Sequence, residues 1–260
     1  MTLISHRAKF IFLKTFKTAS TSIEVALEPL CLPEGAPTGA HYREASVTGA
    51  GIVGARGQAA RTAEWRAHMS ARAVKRQIGD DIWRRYTKIT VVRNPFDRMV
   101  SQFFFGQTVA RRAELAKSFT ETKAAFRTWL RDADVTRNRN KLFIGLSYQP
   151  DHVLFYENLE ADFAALLRGL GEIPRNLPCL KADSRVRPEP WAAFYDEESR
   201  RIIETASGFE MAYFGYSFSG GPAPGAFSDR FARLLRASPQ HILAARRKPR
   251  MARFTEVEIS

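Results

Sequence analysis

Residues 10–27 read FIFLKTFKTASTSIEVAL. Lys9–Leu13 is a compact apolar run of aromatic and β-branched residues, which predicts a buried strand. The polar stretch Lys14–Thr21 is a turn, and a helix follows from Ser22 to about Glu28. A strand that passes through small and hydroxyl residues into a helix start suits an anion. Helix-start N–H groups lack intrahelical partners, and the dipole favours negative charge there. Ser20, Thr21 and Ser22 add hydroxyls and Lys17 adds a point charge. The same pattern also reads as a plain strand-to-helix turn in which Ser and Thr cap the helix. It is no Walker A loop, because GxxxxGK[ST] occurs nowhere in the chain.

Outward from this stretch the pattern repeats. Lys88–Arg93 (KITVVR) is a second predicted strand, after which Asn94-Pro95 opens a helix with proline in its tolerated first turn. Val153–Tyr156 is a third strand, followed by a helix over Leu159–Leu170. Strands alternating with helices predict an α/β fold with a central, mostly parallel sheet flanked by helices. Residues 35–58, with six glycines and little apolar periodicity, read as loop, and so does 219–226 (SGGPAPGA). Asp229–Arg236 reads as a short amphipathic helix and Arg246–Arg253 as a basic stretch without a core face.

Val91–Ser101 reads VVRNPFDRMVS. Arg93 stands at a strand end and Ser101 eight residues later, so the two offer guanidinium donors and a hydroxyl to a phosphate if they converge. Alternatively, Arg93 pairs with Asp97 and Ser101 packs on a helix face. Lys17-Thr18-Ala19-Ser20-Thr21-Ser22, taken with Arg93 and Ser101, resembles the PAPS-dependent sulfotransferases, in the branch of carbohydrate sulfotransferases and their bacterial relatives. The familiar Gly-Gly of the first motif is Ala19-Ser20 here. The resemblance spans roughly residues 8–218. It implies a P-loop-like nucleotide-binding fold in one domain over 1–218, with 219–260 as linker, short helix and basic tail.

The activity implied is transfer of a sulfuryl group from 3′-phosphoadenosine-5′-phosphosulfate (PAPS) to a hydroxyl, releasing adenosine 3′,5′-bisphosphate (PAP), with no metal. Residues 17–22 (Lys17, Thr18, Ala19, Ser20, Thr21, Ser22) match the 5′-phosphosulfate loop, and Arg93 with Ser101 matches the 3′-phosphate pair. Relatives place a base in a His-x-Ser/Thr-Ala segment, which here is His68 in EWRAHMSARA; His41 competes for the role. Lys17 is also expected to stabilise the leaving oxygen, whereas Lys14 is expected to end its strand in solvent. Lys181 and Arg185 fall where relatives close a loop over the nucleotide, or else form a solvated basic loop. Trp83, Trp129, Trp191 and the segment Phe209–Phe218 read as core. The acceptor implied is a hydroxyl of a polysaccharide or glycolipid, with residues 35–58 and 108–140 shaping its site. Arg111, Arg112, Arg137, Arg139 and Lys141 either meet an anionic carbohydrate or form a solvated face.

Composition bounds these readings. The chain has 260 residues, 40 Lys+Arg against 27 Asp+Glu, a net charge of +13, and 45% hydrophobic residues. That is too apolar for disorder and calls for anionic partners. Two cysteines, Cys31 and Cys179, exclude a disulfide framework and a cysteine-rich zinc module. No apolar stretch reaches the roughly 18 residues of a spanning helix, and no signal peptide is evident, so a cytoplasmic protein is expected. Residues 228–260 hold eight basic and three acidic side chains, open to a peripheral membrane or polymer contact. The charge also raises the alternative of a non-catalytic nucleic-acid-binding protein. It lacks support from interleaved aromatic and basic residues or a helix-turn-helix.

Overall fold

The run FIFL is apolar on both sides because it is buried on both sides. In the computed structural model, which describes residues 2–38, 43–178, 180 and 185–221, the strands are β1 Leu3–Ser5, β2 Phe10–Leu13, β3 Ser46–Val47, β4 Gly51–Val53, β5 Thr87–Val92, β6 Phe143–Ile144, β7 Ser147–Tyr148 and β8 His152–Phe155. Six form one sheet in the order β3-β4-β1-β2-β5-β8, and β6 and β7 form a separate ribbon. β2, β5 and β8 are adjacent and parallel, with Phe12 opposite Ile89 and Val91 opposite Leu154. The ladders β1–β2, β1–β4 and β3–β4 are antiparallel. Four of the six strands, β2, β4, β5 and β8, therefore run the same way, and the α/β expectation holds.

The helices are α1 Ser20–Leu27, α2 Ala71–Ile78, α3 Asp80–Arg85, α4 Pro95–Phe105, α5 Val109–Leu115, α6 Phe119–Asp132, α7 Arg139–Leu142, α8 Leu159–Gly169 and α9 Glu197–Phe214. The described residues fall into two compact units, one within Met1–Arg93 and Asn138–Lys181, the other within Asn94–Arg137 and Ala182–Ser260.

The first unit holds the sheet. Alternation along each strand sends side chains to opposite faces. Leu3, Phe10, Phe12, Ile89, Val91 and Leu154 join Ile23 and Leu27 of α1 and Phe163 and Leu167 of α8 in one core. Ile4, Ile11, Leu13 and Ile52 join Val74 of α2 and Trp83 of α3 in the other. Burying each such large side chain stabilises by about 1.5–3 kcal/mol. The second unit is helical. Phe96, Phe103 and Phe104 of α4 meet Phe126 of α6, Ile203 of α9, and Phe194 and Tyr195. Trp129, Trp191 and Phe218 pack against this cluster, as the core reading expects.

One expectation is overturned. Residues 35–58 are not all loop, because they supply β3 and β4. Two of their glycines, Gly51 and Gly54, mark close packing. A Cβ on Gly51 would run into the Ile4 carbonyl and come 2.9 Å from that of Cys31, and one on Gly54 would lie 3.0 Å from the Trp65 carbonyl oxygen. The helix expected at Asp229–Arg236 and the basic stretch Arg246–Arg253 lie outside the described residues.

Candidate active site

The loop from β2 to α1 is folded on itself by its own hydroxyls. Thr15 Oγ1 donates to the Val91 carbonyl at 2.6 Å and lies 2.8 Å from Thr18 Oγ1, while Ser20 Oγ donates to the Thr15 carbonyl at 2.6 Å. Thr18 and Ser20 are thereby buried, and the Ser20 hydroxyl proton is committed inside the loop. Ser22 Oγ accepts from the Leu180 N–H at 3.4 Å, and Thr21 Oγ1 accepts from Lys14 Nζ at 3.4 Å.

With the hydroxyls engaged, the backbone supplies the donors. Lys17 and Ala19 both take left-handed φ of 58°. Ala19 is the residue before α1 and gives the helix no side-chain cap. The N–H groups of Thr18, Ala19, Ser20 and Thr21 have no partner among the described residues, and no acidic residue occupies the first turn of α1. Successive N–H groups around left-handed residues make an anion-binding concavity, here continuous with the positive end of a helix dipole. The position matching a family glycine is an alanine in a glycine conformation, at a cost of roughly 1–2 kcal/mol.

Arg93 follows β5 and faces this loop. Its Nη1 donates to the Lys17 carbonyl at 3.1 Å, and its guanidinium carbon stands 3.9 Å over the Tyr156 ring, a stacking arrangement that orients the planar fork. Tyr156 was not singled out from sequence; its signal is an aromatic immediately after the parallel neighbour strand β8.

His68 comes to the same loop from a segment just ahead of α2. Its ring stacks on Phe16 at 3.6 Å between centroids and 12° between planes, and its own φ is 57°. Three of the four left-handed non-glycine residues among the described residues, Lys17, Ala19 and His68, thus belong to one site. His68 Nδ1 lies 3.4 Å from the Lys14 carbonyl oxygen. A carbonyl only accepts, so the proton belongs on Nδ1 and Nε2 keeps its lone pair. Burial, with the nearby Lys14 and Lys141 ammonium groups, holds the His68 pKa well below its ordinary 6.5, so the imidazole is neutral at pH 7.

Lys14 corrects a sequence expectation. It is not in solvent but buried, with Nζ 2.5 Å from Glu24 Oε2. Burial pushes the Glu24 carboxyl up, but the positive charges around it, Lys14 foremost, together outweigh burial and the pKa ends below the usual value. Glu28, one turn further along, is held by Arg43 and by Arg56 at 3.1 Å, and Arg56 also lies 3.8 Å from Glu24. These two carboxylates anchor the buried face of α1. Lys141 is not on a solvated face either. It is buried, with Nζ 2.6 Å from Asn140 Oδ1 and 5.1 Å over the Phe16 ring.

The remaining candidates belong to the other unit or lie outside the described residues. Ser101 is half-buried on α4, in the helical unit. Arg185, in that unit too, gives its guanidinium to the carbonyls of Arg187 and Glu189 and lies 3.6 Å from Asp97. Lys181 and His41 lie outside the described residues. Among the described residues no group of three or more His, Cys, Asp or Glu is arranged to hold a metal ion, and no helix is long and apolar enough to cross a membrane.

A model of the sulfotransferase family matches residues 1–216. Comparison with curated proteins and with solved structures found no match. The family match runs from β1 through α9 and takes in the loop, the guanidinium and the imidazole described above, so the chain belongs to the sulfotransferase family.

Proposed function

We propose that this transferase uses PAPS as donor and passes its sulfuryl group by in-line displacement to a hydroxyl of a carbohydrate or glycolipid. The observation that carries the reading is the row of open N–H groups over Thr18–Thr21, beginning beside Lys17, with the His68 ring stacked on the residue before that lysine. The N–H row and Lys17 take the 5′-phosphosulfate, and Arg93 with Ser101 takes the 3′-phosphate. Lys181 and Arg185 are the proposed further contacts to the nucleotide.

In the reacting complex the acceptor oxygen attacks sulfur as its proton passes to His68 Nε2. The bond between sulfur and the bridging oxygen breaks, and PAP leaves with that oxygen's electron pair. Lys17 stabilises the charge developing there, the kind of electrostatic contribution that dominates many transfer reactions. A neutral imidazole at pH 7 suits the base, and anionic donor bound nearby makes it more basic.

Calorimetry of the purified protein with PAP tests the donor. Micromolar binding is expected, and no binding at high micromolar ligand removes the reading. Transfer from sulfur-labelled PAPS to a panel of polysaccharides and glycolipids then identifies the acceptor class.

A further inference from the structure

Phe16 joins the two halves of the proposed site. Its ring lies against His68, and the next residue is Lys17. The backbone of Phe16 is gripped from a distant part of the chain. Asn138 Oδ1 accepts from the Phe16 N–H at 2.7 Å, and Asn138 Nδ2 donates to the Phe16 carbonyl at 3.1 Å. The two bonds span 122 residues and copy the pairing a neighbouring strand would give. The amide orientation is unambiguous, because the flipped form would set donor against donor and acceptor against acceptor.

Asn138 is buried, with 3% of its surface exposed. It also begins α7, since its carbonyl accepts from the Lys141 N–H at 3.0 Å, and Lys141 reaches over the Phe16 ring. The residues on either side of this grip are the ones that need it. Lys17 and Ala19 hold left-handed conformations that persist only where surroundings over-determine them, and the His68 ring stacks on a Phe16 whose backbone N–H and carbonyl are both held by Asn138. From this we infer that Asn138 is a positioning residue, which sets the donor loop at Lys17 and the base at His68 relative to each other by clamping Phe16.

The inference rests on the donor reading above for its ligand, and the experiment separates the two. Asn138→Leu keeps the branched heavy-atom skeleton and removes both bonds; Asn138→Asp keeps the acceptor for the Phe16 N–H and loses the donor. Calorimetry with PAP is expected to show at least a tenfold loss of affinity in N138L and a smaller loss in N138D. Combined with Lys17→Ala, N138L should cost less than the product of the separate losses, because both act on one loop. Without any nucleotide, the His68 ring-proton resonances, shifted upfield by the Phe16 stack, should move toward free-histidine values in N138L. Affinity within twofold of wild type, full multiplicativity with K17A, or unmoved His68 resonances would each overturn the role of Asn138. Wild-type protein that fails to bind PAP while N138L still moves the His68 resonances would remove the donor reading and leave the clamp standing. If N138L does not fold by circular dichroism, N138D carries the same readouts, and wild-type values in it overturn the inference.

Discussion

Two strand-to-helix turns follow neighbouring parallel strands, and they treat the same backbone groups in opposite ways. The turn from β5 to α4 is two residues long and closed. Asn94 caps the helix by accepting from the Phe96 N–H, Pro95 has no N–H to satisfy, and Asn94 Nδ2 donates to the Ser217 carbonyl at 3.1 Å. The turn from β2 to α1 is six residues long and open. Ala19 offers no cap, and the hydroxyls that would cap the helix are turned inward to hold the loop. The closed turn uses its Asn94 side chain to stabilise the fold, whereas the open one leaves backbone N–H groups without partners among the described residues and is stabilised elsewhere, by Lys14–Glu24 beneath it and Asn138 beside it.

The sharpest way to break this contrast is at the open turn's charge. Lys17→Ala should lower transfer by about 10³-fold, with PAP affinity reduced and urea stability little changed; unaltered transfer would deny the loop its role. His68→Ala should lower transfer by roughly 10²–10⁴-fold while PAP affinity stays at the wild-type value. Turnover equal to wild type would move the base to His41 or to a carboxylate. Glu24→Gln leaves Lys14 buried without its counter-charge and should cost about 3–5 kcal/mol in urea unfolding; a cost below 1 kcal/mol would mean that the open turn does not rely on this pair.

Smaller effects separate the turns by stability. Asn94→Ala should destabilise by about 1 kcal/mol through its lost cap. Ala19→Gly should do the reverse and stabilise by up to about 1 kcal/mol, because glycine adopts the left-handed conformation without strain. Equal signs in calorimetric melting would erase the distinction. The last effect concerns pH. The depressed His68 pKa places the acid limb of kcat/KM below 6.5. Bound anionic donor favours the imidazolium, so the limb of kcat should lie at higher pH than that of kcat/KM. Lys141→Met removes one of the ammonium groups that disfavour the imidazolium, and should raise the kcat/KM limb toward 6.5.

Much of this was legible in the sequence. The strands β2 and β5 stand out as apolar runs because they lie inside the sheet and are buried on both faces, the edge strand β8 is marked by the short apolar run Val153–Phe155, and Asn94-Pro95 announces its helix through local chemistry alone. The loop between β2 and α1 is legible because its small residues and lysine are contiguous. The strands β3 and β4 were not legible. Gly51 and Gly54 look like loop punctuation until the carbonyls of Ile4, Cys31 and Trp65 are seen where their side chains would be. Lys14 was misread because a lysine between a strand and a polar turn belongs in solvent unless a buried carboxylate awaits it, and Glu24 does.

By itself, then, the amino-acid sequence determined the α/β class, the central strands and the two motifs that mark the family, all of them properties of residues within a few positions of one another. Only the tertiary structure decided which side chains meet at the loop. His68 reaches Lys14 across 54 residues and Asn138 reaches Phe16 across 122. Such pairings follow from the packing of α2 and α7 within the sheet-bearing unit, a many-body outcome of burial that no local pattern encodes.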